Sequence, residues 1–374
     1  MNSAQAPPGR ERDVWPTLRD DVRAVRTDWQ ASLRRTLSDL EAFYLDEERR
    51  RRLVKMGWVK RWALRSWWLL RALFFKLTPA RRVVFVVALL LLIASRQAVA
   101  IRTGASNVQV DSSTGLVGGI LLVVLLMLEL KDKLLARHEL EAGRAVQRAL
   151  MPESAPVVPG WDIWLYTQPA NDVGGDLVDA LNVDGRVFVA LADVAGKALP
   201  AALLMAKVQS TLRALVSEVS GLPALAARVN AILCRDGLPN RFATLVYAEI
   251  RAGSNRVSLV NAGHLPPLVV SGSRLQELPR GGMALGMIPG AVYEAQTAEL
   301  APGDLLVVYS DGVTEATNEA GDFFGDDRLR RLLAGLGGGT AAAAGQAILA
   351  AVREFIGEAR PYDDLSVVVL RRAA

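Results

Sequence analysis

The chain has 374 residues, 51% hydrophobic, 6% aromatic and 22% charged, which excludes a wholly disordered chain, a collagen-like fibre and a disulfide-stapled miniature domain. Its one cysteine, Cys234, has no internal partner, and two histidines, His138 and His264, are too few for a multi-histidine zinc site. The net charge of +5 is uneven: residues 1–82 hold 19 Lys/Arg against 10 Asp/Glu, residues 83–130 two of each, and residues 131–374 23 against 27.

Residues 1–50 are polar. Trp15, Leu18, Val22 and Val25, then Trp29, Leu33 and Leu37, recur at helical spacing and predict one or two amphipathic helices. From Arg49 to Arg52 the chain is a run of arginines. Trp58, Trp62, Trp67 and Trp68 follow, among Lys60, Arg61, Arg65 and Arg71. Tryptophan interleaved with cations suits the lipid headgroup layer, where the indole is half buried and the cation meets phosphate. The same composition can stack on bases, but no nucleic-acid motif accompanies it and no nucleic-acid partner is expected.

Two apolar runs come next, Val83–Ser95, continued after Arg96 to Ile101, and Gly115–Leu128. Each is shorter than the roughly 20 apolar residues of an ideal span. They are apolar all round and occur as a pair, which predicts a two-helix transmembrane hairpin over 83–130. The basic lead-in then places both the N-terminus and residues 131–374 in the cytoplasm, at the cell membrane. The polar start shows no cleavable signal peptide. Residues 131–152 predict a linker helix with a weak apolar stripe (Leu135, Ala142, Val146, Leu150), ended by Pro152. The expected organisation is thus a basic, Trp-rich region over 1–82, the hairpin over 83–130, the linker over 131–152, and a catalytic domain over 153–374.

Beyond Trp161 the pattern is mixed. Strands are predicted at 161–167, 186–193, 242–250, 256–262, 304–310 and 365–370, rich in Val, Leu and Ile and bounded by turn residues. Helices are predicted at 199–217, 223–234, 327–334 and 341–356, with a glycine-rich break at 335–339. The absence of regular strand–helix alternation points to an α+β fold.

Four acidic clusters share one format, an Asp at a strand end or in a tight glycine turn. They are Gly174-Gly175-Asp176 with Asp179, Asp193-Val194-Ala195-Gly196-Lys197, Ser310-Asp311-Gly312, and Asp363-Asp364. One such site alone is ordinary turn chemistry. Four beside hydrophobic strands match the oxygen-ligand chemistry of Mg²⁺ and Mn²⁺. Two such ions about 3.5–4 Å apart can activate a water for in-line attack on phosphorus. No Gly-x-Ser-x-Gly elbow or reactive-cysteine signature competes with this reading.

Residues 138–371 resemble a PPM/PP2C-type serine/threonine phosphatase of the SpoIIE/RsbU subfamily. The resemblance lies in Ala145–Pro152, Val173–Asp179, Ala192–Met205, Phe242–Leu245, Asn261–His264 with Pro266-Pro267, Ser310–Ala316 and Asp363–Ser366, seven pieces in family order. It implies an α-β-β-α sandwich of two antiparallel sheets flanked by helices, with a binuclear Mn²⁺ or Mg²⁺ site. It implies that Asp193 bridges both ions and that the Val194 carbonyl supports one. Asp311 and Asp363 then bind the first ion, and Asp176 binds or orients the second. Asp364 ranks below Asp363, and Asp179 supports the ligands from behind. His264 is either a general acid to the leaving serine oxygen or a structural histidine. Lys197 is either a phosphate contact or a charge opening a helix. The sequence departs from the pattern at Ala192, Ala195 and Ala198, where Gly, Ser and Gly are common, and at Leu177-Val178, where an aromatic pair is common. The implied activity is dephosphorylation of phosphoserine or phosphothreonine on a phosphoprotein, of the anti-sigma-factor antagonist type, by a homodimer joined through the linker helix. A non-catalytic membrane scaffold that binds phosphoproteins through a phosphatase-like domain is the alternative.

Overall fold

The computed structural model of this chain describes residues 74–100, 113–152, 154–236, 241–336 and 339–373, together with 60, 64, 67, 68 and 71. The helices expected over 1–50 and most of the Trp-rich segment lie outside the described residues. The chain divides into two compact units, Met1–Lys133 and Leu134–Ala374.

In the first unit, α1 (Pro79–Ala100) lies against the start of α2 (Ser113–Leu150). Gly118 makes the close approach: a Cβ there would meet the Ala88 carbonyl oxygen at 2.8 Å. Ala88 and Leu125 are buried, and Arg81 pairs with Glu129 at 2.7 Å and Asp132 at 2.6 Å. Glycine at 118 and the ion pairs near 81 and 132 fix an antiparallel pair. Most of its large apolar side chains, including Val83, Leu90, Leu116 and Leu126, are exposed. Among the described residues no helix is long and apolar enough to cross a membrane. The two full spans expected from the sequence therefore find no support in these helices, because each apolar run stops short at charged residues. The helix expected over 131–152 lies within α2, which runs unbroken through Glu129-Leu130-Lys131-Asp132-Lys133, all good helix formers apart from Asp132.

Among its described residues the second unit carries ten strands. β1 (Trp161–Gln168), β10 (Leu365–Arg372), β9 (Leu305–Tyr309), β6 (Leu268–Ser271) and β7 (Arg274–Glu277) form one sheet in that order. β2 (Leu177–Val183), β3 (Arg186–Val194), β4 (Ala243–Arg251), β5 (Arg256–Ala262) and β8 (Ala295–Glu299) form the other. Every pairing is antiparallel. Helices α3 (Ala198–Leu215) and α4 (Leu222–Asp236) follow β3, a short α5 (Asp311–Thr314) follows β9, and α6 (Asp326–Ala334) and α7 (Ala341–Ile356) precede β10.

Side chains alternate along a strand, so each strand serves two layers. On β3, Val187, Val189 and Leu191 meet Val308, Val368 and Leu370 between the sheets. Phe188, Ala190, Ala192 and Val194 face Met205, Val208, Leu225 and Val229 of α3 and α4. Val367 and Val369 of β10 face Ile348 and Val352 of α7. The result is the expected α-β-β-α sandwich. Burial on both faces is why these strands read as continuous apolar runs. Period-two alternation also puts Asp193 on the inter-sheet side of β3, where that strand leaves the sandwich.

A carboxylate cluster at one edge of the sandwich

Four distant segments deliver the acidic residues. Asp176 immediately precedes β2, Asp193 is the penultimate residue of β3, Asp311 opens α5, and Asp363-Asp364 precede β10. Their mutual influence shows that they converge. Burial raises the Asp193 carboxyl to about 7, helped by the charges of Asp311, Asp363, Asp364 and Glu315. Burial, then Asp363 and Glu315, raise Asp311. Asp176 is raised well above the carboxylate range by burial, then by Asp193 and Asp364, while the hydroxyls of Ser366 and Ser310 pull the other way.

Asp364 has a different task. Its Oδ2 accepts from the Gly175 amide at 2.6 Å and the Asp176 amide at 3.3 Å, and its Oδ1 from the Ala170 amide at 2.8 Å. Burial raises its carboxyl, and these three amides offset that. It latches the 170–176 loop to the start of β10. The glycines follow from this latch: a Cβ on Gly174 would strike the Asp364 carboxylate, and one on Gly312 the Asp364 carbonyl. Gly175 leaves the Val194 carbonyl oxygen accessible, since a Cβ there would come within 3.1 Å of it.

Asp179 is buried and bound by Arg213 of α3 through two hydrogen bonds, 2.8 and 2.6 Å. It braces β2 against α3. His264 is buried, with Nδ1 2.7 Å from Thr244 Oγ1 and Nε2 3.1 Å from the Tyr309 carbonyl oxygen. Both ring nitrogens are engaged, and burial lowers its pKa to about 4, so the ring is neutral. Nε2–H donates to Tyr309, which leaves Nδ1 to accept from Thr244. Thr244 Oγ1 also lies 3.3 Å from the Asp193 carbonyl oxygen, but its one hydrogen is committed to Nδ1, so this is a contact and not a second hydrogen bond. This is the structural reading of His264 rather than the general-acid one.

Other participants were not singled out in the sequence. Gln147 of α2 clamps Gly174 from both sides, Nε2 to its carbonyl at 2.9 Å and Oε1 from its amide at 3.1 Å. Gln147 belongs to the lead-in stretch quoted above, and Glu315 and Thr244 to two other quoted stretches, so motif membership was the available signal. Arg213 carried none.

Among the described residues no three His, Cys, Asp or Glu side chains converge tightly enough to cage an ion as they stand. The residues nonetheless fit hard divalent cations. The donor set is all oxygen, and Asp176 Oδ2 is buried without a hydrogen-bond partner. A buried carboxyl oxygen with no hydrogen-bond partner, set among other acids, is the kind of group a cation satisfies. Asp176, Asp193, Asp311 and Asp363, expected as ligands, lie at one edge of the sandwich without forming a cage.

Residues 183–373 match the family model described as Stage II sporulation protein E (SpoIIE). That stretch includes Asp193, Asp311, Asp363 and Asp364 and begins after Asp176 and Asp179. Protein IcfG of Synechocystis sp. is 30% identical over 234 residues, covering 55% of this chain and 37% of that protein. Phosphoserine phosphatase RsbU of Bacillus subtilis is 27% identical over 187 residues, covering 50% of this chain and 56% of that protein. The chain therefore spans less than two thirds of either relative. Among solved structures, the SiaA-PP2C domain of Pseudomonas aeruginosa superimposes with a TM-score of 0.57 at 21% identity, covering 64% of this chain and 98% of that domain. At that identity the likeness establishes the fold.

Proposed function

Since this chain belongs to the Stage II sporulation protein E (SpoIIE) family and carries a PP2C-type fold, we propose that it is a metal-dependent serine/threonine protein phosphatase acting on a phosphoprotein in bacterial sigma-factor signalling. The observation that carries this reading is that four separate segments bring acids to one edge of the sandwich, where Asp193 feels the charges of Asp311, Asp363 and Asp364, and buried Asp176 those of Asp193 and Asp364.

Two Mn²⁺ or Mg²⁺ ions would be held by Asp176, Asp193, Asp311, Asp363 and the Val194 carbonyl, and would supply an activated water and charge neutralisation at phosphorus. The chain's own contribution is positioning. Asp364 holds the loop that presents Asp176. Thr244 pairs with neutral His264 beside the Asp193 backbone. The name of RsbU as a phosphoserine phosphatase favours phosphoserine as the scissile ester. An anti-sigma-factor antagonist-type protein is the partner this reading expects.

Membrane association belongs to the same proposal. The exposed apolar side chains of α1 and α2 in the first unit support insertion of the helical pair into lipid, with the ends of the chain cytoplasmic. Exposed Leu134, Leu135 and Val146 on α2 support pairing with a second copy. Flotation of the chain with anionic vesicles tests the first, and crosslinking with and without residues 131–150 tests the second.

The central test is hydrolysis of a phosphoserine protein by the full chain with Mn²⁺, with chelator, and in Asp193→Ala and Asp311→Asn. Metal-dependent turnover lost in both variants supports the enzyme. A folded chain that binds phosphoprotein equally well with Asp193→Ala, without turnover, overturns it in favour of a scaffold.

A further inference from the structure

Lys197 follows the Asp193–Gly196 turn and opens α3. Its ammonium lies 3.3 Å from Asp363 Oδ2 and 3.2 Å from the Tyr362 carbonyl oxygen. It also sits 4.1 Å from the centre of the Tyr362 ring. These three contacts come from one two-residue stretch of the β10 approach. The next residue, Ala198, has φ +60°, a left-handed conformation that costs a non-glycine residue about 1 kcal/mol. The chain bears that cost where it aims Lys197 across the edge of the sandwich.

An exposed lysine–aspartate contact contributes little stability, and here the side chains are 51% and 35% exposed. Its meaning lies in which carboxylate it holds. Asp363 is an expected ion ligand. The charges acting on Asp311 are Asp363 and Glu315, opposed by Lys197. The neighbouring Arg241 donates to the Ala195 carbonyl at 2.8 Å.

We infer that the Lys197 ammonium alternates between two anions: Asp363 when the cluster holds no metal, and the phosphate of the substrate once a divalent ion has taken Asp363. This inference rests on the phosphatase reading above. A divalent ion bound to Asp363 repels an ammonium held by the same carboxylate. Metal uptake therefore releases the lysine. Four ligand carboxylates cancel the charge of two divalent ions, so a dianionic phosphate gains from an additional cation at the rim. A flexible four-carbon stem with rotatable donors suits a group that serves both positions.

The test uses the full chain, Lys197→Met and Lys197→Arg, with Mn²⁺ uptake followed by the electron paramagnetic resonance signal of free Mn²⁺. Binding of inorganic phosphate to the Mn²⁺-loaded chain is followed by ³¹P relaxation. Lys197→Met is expected to bind Mn²⁺ about 3- to 10-fold more tightly and phosphate at least about 3-fold more weakly. Lys197→Arg is expected to retain phosphate binding. Mn²⁺ affinity unchanged or weakened in Lys197→Met overturns the inference alone, as does unchanged phosphate affinity. Failure of the wild-type chain to take up Mn²⁺ overturns the phosphatase reading and this inference with it.

Discussion

Asp364 Oδ2 accepts the backbone amide of Gly175 at 2.6 Å across 189 residues of sequence, and this bond sets the position of Asp176. Removing the carboxylate by Asp364→Ala leaves the amides of Ala170 and Gly175 unpaired, at a cost of about 3 kcal/mol. Denaturant unfolding of the metal-free chain checks this. Gly312→Ala is expected to be similarly damaging, because its Cβ meets backbone that cannot swing aside.

The Asp193 carboxyl, raised by burial and its acidic neighbours to about 7, gives the metal-free chain a signed pH dependence. The folded state holds a proton that the unfolded state has lost between about pH 4 and 7, so this contribution to stability falls as pH rises through that window. Its full extent is about 4 kcal/mol. Asp193→Asn is expected to remove the fall, seen as a higher melting temperature than wild type at pH 8 without metal.

His264 works in the opposite direction. Burial lowers its pKa to about 4, so the unfolded state binds the extra proton between pH 4 and 6.5. Its contribution is complete above pH 6.5 and is lost as pH falls through 4, about 3 kcal/mol in full. NMR of the imidazole is expected to show a neutral ring down to about pH 4. A ring that titrates near 6.5 would place it in water and restore the general-acid role.

The Asp179–Arg213 pair predicts a structural outcome. Arg213 is exposed and is hydrated when its partner is cut, so Asp179→Ala costs about 1–2 kcal/mol of stability. Mn²⁺ affinity is expected to stay within about 2-fold of wild type, because the contact braces β2 on α3 rather than the acids. A loss of affinity comparable to that of Asp193→Ala would place Asp179 in the metal site.

The amino-acid sequence by itself determined the sandwich strands that are buried on both faces. β3, β4 and β10 are short runs rich in Val, Leu and Ala, bounded by turn residues. It also located the acidic turns, because an Asp beside a glycine at the end of such a run is a local pattern. Weaker strands were illegible. β2 is interrupted by Asp179 and Asn182, and β6, β7 and β8 have only four or five residues each. Their existence depends on neighbours that supply hydrogen bonds, which is a property of the sheet rather than of the segment. Only the tertiary structure decided the division of labour among the carboxylates. Asp176, Asp179 and Asp364 are the same side chain in sequence. One is buried with an oxygen lacking a donor, one is taken up by Arg213, and one is spent on three amides. The partners lie on other elements, and a carboxylate takes its chemistry from what surrounds it.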